Sequence, residues 1–136
     1  MRKAAVVLFG LSLALGAVVS AQNVSMPDYS AWEKTADHTE HYLYKGAKIE
    51  LRDTHHESNT PDDRHLTVGV FYHPETGKPW FGLYNISPIG RSSDLYLFDA
   101  NEEGNWVFVR DITDLTEEES DELFRSRYGL VYAGRQ

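Results

Sequence analysis

The sequence predicts an α+β domain: an antiparallel β-meander of about five strands with a C-terminal helix packed on one face, and room for a short N-terminal helix. Three observations predict it. Residues 65–111 contain two strand–turn–strand segments, HLTVGVFYHPETGKPWFGLYNI and DLYLFDANEEGNWVFVRD, each with a glycine closing its turn. Residues 42–53 place Leu43, Ala47, Ile49 and Leu51 on one side and Lys48, Glu50 and Arg52 on the other, the two-residue period of a half-buried strand. Thr116 and Glu119 bracket two more glutamates, the capping-box signature of a helix start.

The N-terminus, taken first, reads as an address. Met1-Arg2-Lys3 precedes an apolar run over residues 4–19, and Val19-Ser20-Ala21 offers small residues at the positions a signal peptidase requires. The run is shorter than the roughly 20 apolar residues of a spanning helix. Residues 1–21 are therefore expected to be a cleaved signal peptide that leaves no stable membrane anchor. Residues 22–40 are expected to form a leader and residues 41–136 one domain, exported to a bacterial periplasm or exterior.

Composition narrows the function classes. The formal net charge is −8, and it becomes −10 once Arg2 and Lys3 leave with the signal. A chain this acidic is a poor ligand for nucleic acid or anionic membrane. It has no cysteine, which excludes disulfide staples and thiol chemistry. There is no G-x-S-x-G, no P-loop and no G-x-G-x-x-G.

Along the remaining chain, Ser30 and Glu33 suggest a capping box for a short helix with Tyr29, Trp32 and Ala36 facing inward. Gly46 marks a bulge or a close approach inside the strand over residues 42–53. Residues 54–64, THHESNTPDDR, contain no apolar side chain and read as a long solvated loop. In the first hairpin, pairing His73 with Lys78 sets Leu66, Val68 and Val70 on one face with Leu83 and Phe81. The opposite face then holds Thr67, Gly69 and Phe71 with Tyr84, Gly82 and Trp80. In the second, a four-residue loop over Asn101-Glu102-Glu103-Gly104 sets Leu95 and Leu97 with Phe108, and Tyr96 and Phe98 with Val107 and Val109. A slip of one residue would exchange these faces. The helix after Thr116 should turn Leu123, Phe124 and Tyr128 inward, carry Arg125 and Arg127 in its last turn and stop at Gly129. Residues 130–132 can return as an edge strand.

Two constellations point to chemistry. The chain has six histidines, His38, His41, His55, His56, His65 and His73, and imidazole is a ligand for zinc and copper. His55, His56 and His65 flank one loop and are the expected metal set. A straight strand over residues 42–53 would hold His38 and His41 ~40 Å from them, unless the chain folds back at Gly46. Phe71, Trp80, Tyr84 and Tyr96 are the expected aromatic platform for a small ligand or a protein partner. The reading these features support is a small exported binding or interaction domain without catalysis, its ligand unspecified. The alternative is a periplasmic protein that binds zinc or copper. A carboxylate-dependent hydrolase is a weaker third, because so small a sheet rarely builds a deep cleft.

Overall fold

The computed structural model describes residues 24–59, 64–88 and 92–134; the expected signal peptide lies outside them. Seven antiparallel strands form one sheet that curls into a half-barrel: β1 (Glu33–Tyr44), β2 (Ala47–Asn59), β3 (Arg64–Tyr72), β4 (Pro79–Pro88), β5 (Asp94–Ala100), β6 (Trp106–Asp111) and β7 (Leu130–Tyr132). Six of them meander in chain order. The helix α1 (Glu117–Tyr128) then carries the chain from the β6 edge to the far edge, where β7 pairs with β1. Among the described residues, no helix is long and apolar enough to cross a membrane.

The antiparallel sheet with a C-terminal helix is as expected, and residues 130–132 do return as an edge strand, but the N-terminal strands differ from expectation in two local respects. First, the strand expected over residues 42–53 folds back on itself. Lys45 and Gly46 both take positive φ, 53° and 85°, which is the backbone of a type I′ hairpin turn. Glu33–Tyr44 is thereby a strand, and the expected N-terminal helix is replaced by a turn in which Trp32 N–H donates to the Tyr29 carbonyl at 3.0 Å. Tyr29 and Trp32 do face inward, as the helix would have had them. Second, the expected polar loop continues β2 as far as Asn59. With β1 on one side and β3 on the other, its backbone is paired along both edges, and ladder pairing overrides the polar composition.

The first expected hairpin register is displaced by a bulge, the second by a shorter loop that a bulge follows. His73 N–H donates to the Lys78 carbonyl at 2.8 Å as anticipated. Yet Tyr72 faces Pro79 while Phe71 faces Phe81, leaving Trp80 as the extra residue. Val68 therefore pairs with Tyr84, and Gly69 with Leu83. In the second hairpin Asn101 N–H donates to the Asn105 carbonyl, so the loop is one residue shorter than expected. Phe98 faces Phe108, and Val109 is the extra residue before Leu97 meets Arg110.

Each face of the sheet has its own core. Under α1 lie Tyr44, Leu51, Phe71, Phe81, Leu97, Ile112, Tyr128 and Leu130. Phe81 is sandwiched between Phe71 and Tyr128, with ring centroids 4.7 and 4.1 Å away and nearly parallel planes. The outer face carries Leu66, Val68, Val70, Tyr84 and Phe98, covered by Val24, Met26, Tyr29 and Trp32 of the segment before β1 and by Trp106 and Phe108. The helix begins at the expected capping box, Thr116 with Glu119, and ends on Gly129 at φ 70°. Asp99 of β5 fixes its last turn, accepting from Tyr128 Oη at 2.5 Å and Arg127 Nη2 at 2.6 Å.

Candidate metal centre

On the helix face, the strands change character at one level. Cross-strand pairs share a face, so the register can be read strand by strand away from the hairpin turns. β1 runs Tyr44, Tyr42, Glu40, His38, and β2 runs Ile49, Leu51, Asp53, His55, Glu57. β3 runs Phe71, Gly69, Thr67, His65, and β4 runs Phe81, Leu83, Asn85, Ser87. The first members of each series are the core beneath α1. The later ones are mostly polar.

Asp53 sits at this border. It faces His38 across the β1–β2 ladder and shares its side of β2 with His55. The tight turn at Lys45 and Gly46 is what places His38 there. The Asp53 side chain is 2% exposed, although buried carboxylates are costly unless paired or metal-bound. Its Oδ2 lies 2.9 Å from His55 Nε2. Its Oδ1 is buried and has no hydrogen-bond partner; His38 Nδ1 stands 3.8 Å away, too far for a hydrogen bond. One donor atom from each of His38, Asp53 and His55 falls within 4.8 Å of the other two. Tetrahedral zinc with bonds near 2.0–2.1 Å needs donors ~3.3 Å apart; the imidazoles stand 2.9 and 3.8 Å from different oxygens of the carboxylate, so a bound ion would draw the set, now within 4.8 Å, closer together. With its proton on Nδ1, His55 presents the Nε2 lone pair to a cation between itself and the carboxylate.

The space beside Asp53 and His55 is a pocket of about 270 Å³ lined by these two and by Glu40, Thr67, Gly69, Phe71, Leu83, Asn85 and Leu95. Gly69 forms its floor below His55: a Cβ there would lie 3.8 Å from His55 Nε2. Glu40 is held at the rim, accepting from Tyr132 Oη at 3.0 Å.

The expected metal set, His55, His56 and His65, is not brought together. Consecutive strand residues point to opposite faces, so His56 lies on the outer face, beside Thr54 Oγ1 at 3.3 Å and against the Tyr29 ring at 4.8 Å. Burial there, with the nearby charges of Lys34 and His55, holds the His56 imidazole below the usual histidine range. His65 shares the helix face with His55 but engages Glu57 at 3.0 Å, whose other oxygen accepts from Thr35 Oγ1 at 2.7 Å. His41 meets Glu50 at 3.5 Å on the outer face. The expected aromatic platform is likewise divided. Phe71 and Trp80 belong to the core beneath α1, and Tyr84 and Tyr96 to the outer one. The bulge at Trp80 contributes to that division.

A straight strand would keep His38 from His55; the fold-back at Gly46, named as the exception, is what occurs, and sequence reasoning missed Asp53 as a partner. The signal was present in His38 and Asp53, equally spaced about Lys45 and Gly46: a hairpin centred on that pair sets the two opposite each other, with His55 two residues further along the same face of β2. No protein-family model, no curated protein and no solved structure matches the chain.

Proposed function

We propose that this protein is a small metal-binding module that holds one divalent transition ion through His38, Asp53 and His55. The observation that carries this reading is the Asp53 carboxylate, buried with one oxygen unpaired between two imidazoles. A charge left in that position destabilises the fold unless a cation offsets it. Two imidazole nitrogens and a carboxylate suit zinc or copper(II) over magnesium or calcium, which prefer all-oxygen sites. Three protein donors leave a coordination position open, as in zinc sites that receive a further ligand. The proposed address is outside the cytoplasm, from the signal-like N-terminus, and the proposed role is binding without catalysis.

Calorimetric titration of the protein with Zn²⁺ and Cu²⁺ tests this. One ion should bind per chain. His38→Ala and His55→Ala should each weaken binding by more than the roughly 10–100-fold that loss of an outer-shell partner costs. His56→Ala and His65→Ala should leave the affinity unchanged. Binding that survives loss of His38 and His55 together, or no binding at all, would overturn the assignment.

A further inference from the structure

We infer that the pocket beside Asp53 and His55 takes a small monocarboxylate with an apolar body, whose carboxylate becomes the fourth ligand of the metal. This rests on the metal reading above and specifies what completes the centre.

Charge sets the head group. A divalent ion with two neutral imidazoles and one carboxylate retains a single positive charge, which one anionic oxygen donor neutralises. A second negative charge would meet Glu40 at the rim and a chain of formal net charge −8. Donors flank the position: Thr67 contributes a hydroxyl, and Asn85, whose Oδ1 accepts from Ser87 Oγ at 2.7 Å, has its amide NH₂ to donate. The walls set the body. Phe71, the cross-strand neighbour of Asp53, with Leu83 and Leu95 gives the pocket its apolar walls, and Gly69 leaves its floor open. About 270 Å³ falls just under the roughly 300–1,000 Å³ of pockets that hold drug-sized ligands. That admits a benzoate- or hexanoate-sized molecule.

Benzoate is the probe. Titrated into the zinc-loaded protein it should bind at one site, and into chelator-treated protein at least about tenfold more weakly. In the cobalt(II)-substituted protein it should shift the visible ligand-field bands. Benzamide, which has the same shape without the charge, and acetate, which lacks the body, should each bind at least about tenfold more weakly. Gly69→Val suits a strand backbone and fills the floor, so it should retain zinc and lose benzoate. Leu95→Gln, which does not approach His55, should do the same where the valine disturbs the imidazole. Zinc binding without any benzoate response, or benzoate binding that is equal with and without zinc, would overturn this inference while leaving the metal centre standing. Failure of zinc itself to bind would overturn both.

Discussion

The imidazoles of His38 and His55 stand edge to face, 5.2 Å between ring centroids, and each addresses one oxygen of the same Asp53 carboxylate. That arrangement opposes stability and binding. Asn fits the shape of Asp53 without its charge, and its NH₂ can donate to a neutral imidazole. In chelator, Asp53→Asn should therefore be more stable than the parent by about 1 kcal/mol, the scale of relieving an unsatisfied buried group. Zinc at 100 times its Kd should stabilise the parent by about 2.7 kcal/mol and the variant hardly at all. Urea melts with and without zinc check both halves. A variant less stable than the parent in chelator would mean the carboxylate is already well paired, which removes the main support for the metal centre.

The turn that brings His38 to Asp53 contains an avoidable strain. Lys45 is the one non-glycine residue with positive φ among the described residues, and the left-handed region costs a side-chain-bearing residue roughly 1–2 kcal/mol. Asn tolerates that region best and is favoured at this turn position. Lys45→Asn should raise stability by about 0.5–1 kcal/mol, less whatever the Lys45 ammonium contributes over the Tyr44 ring at 5.0 Å. Gly46→Val should lower it by at least about 1 kcal/mol. Thermal melts of the two variants decide. Equal melting temperatures would show that the turn does not constrain the hairpin.

Much of this architecture was legible because it rests on local chemistry. The α1 capping box, its Gly129 stop and the His73–Lys78 closure follow from residue types at fixed offsets. The misreadings share a physical origin. A bulge adds one residue to a strand without a distinctive sequence mark, and Trp80 and Val109 look like ordinary strand residues. Each bulge flips every partner beyond it, which is why Phe71 was placed opposite Trp80 rather than Phe81. β2 was cut short because its polar half is stabilised by neighbours on both sides rather than by its own composition. Tyr-Lys-Gly-Ala at residues 44–47 lacks the Asn-Gly signature of a tight hairpin, so β1 and β2 read as one strand, and the site built across them stayed hidden.

The outer core depends on an absent side chain. A Cβ at Gly82 would lie 3.0 Å from Met26 Cε and 3.1 Å from Trp106 Cζ3, so the segment before β1 closes onto β4 only because position 82 is glycine. The methionine tip can yield to one methyl group, while the indole is packed against the outer core. Gly82→Val should therefore destabilise by about 1–3 kcal/mol, the cost of overpacking, and release residues 24–32. Combining it with Met26→Ala should cost less than the sum of the two single changes, since the sites touch. Denaturant melts of the cycle, read beside Trp fluorescence, measure the coupling. Strict additivity would show that the N-terminal segment does not pack there.

Tyr128 gives the fold an alkaline limit. Its ring stacks on Phe81 at 4.1 Å and its hydroxyl donates to Asp99 Oδ1 at 2.5 Å. Burial first, and then the Asp99 carboxylate, push the phenol well above the usual tyrosine range. The sign follows from linkage: a phenol whose folded pKa exceeds its unfolded value near 10 contributes stability that is complete below that pH and is lost as pH rises beyond it. Stability should therefore be flat from pH 8 to about 10 as far as this group is concerned, then fall, with Tyr128 ionising only as the chain unfolds. Tyr128→Phe should cost about 1 kcal/mol at neutral pH, the net worth of one hydrogen bond, and should flatten the alkaline decline. Urea melts across this pH range, with tyrosinate absorbance followed in parallel, separate the two effects. An alkaline decline of equal steepness in Tyr128→Phe would assign it to other tyrosines and leave the Asp99 contact as a docking interaction only.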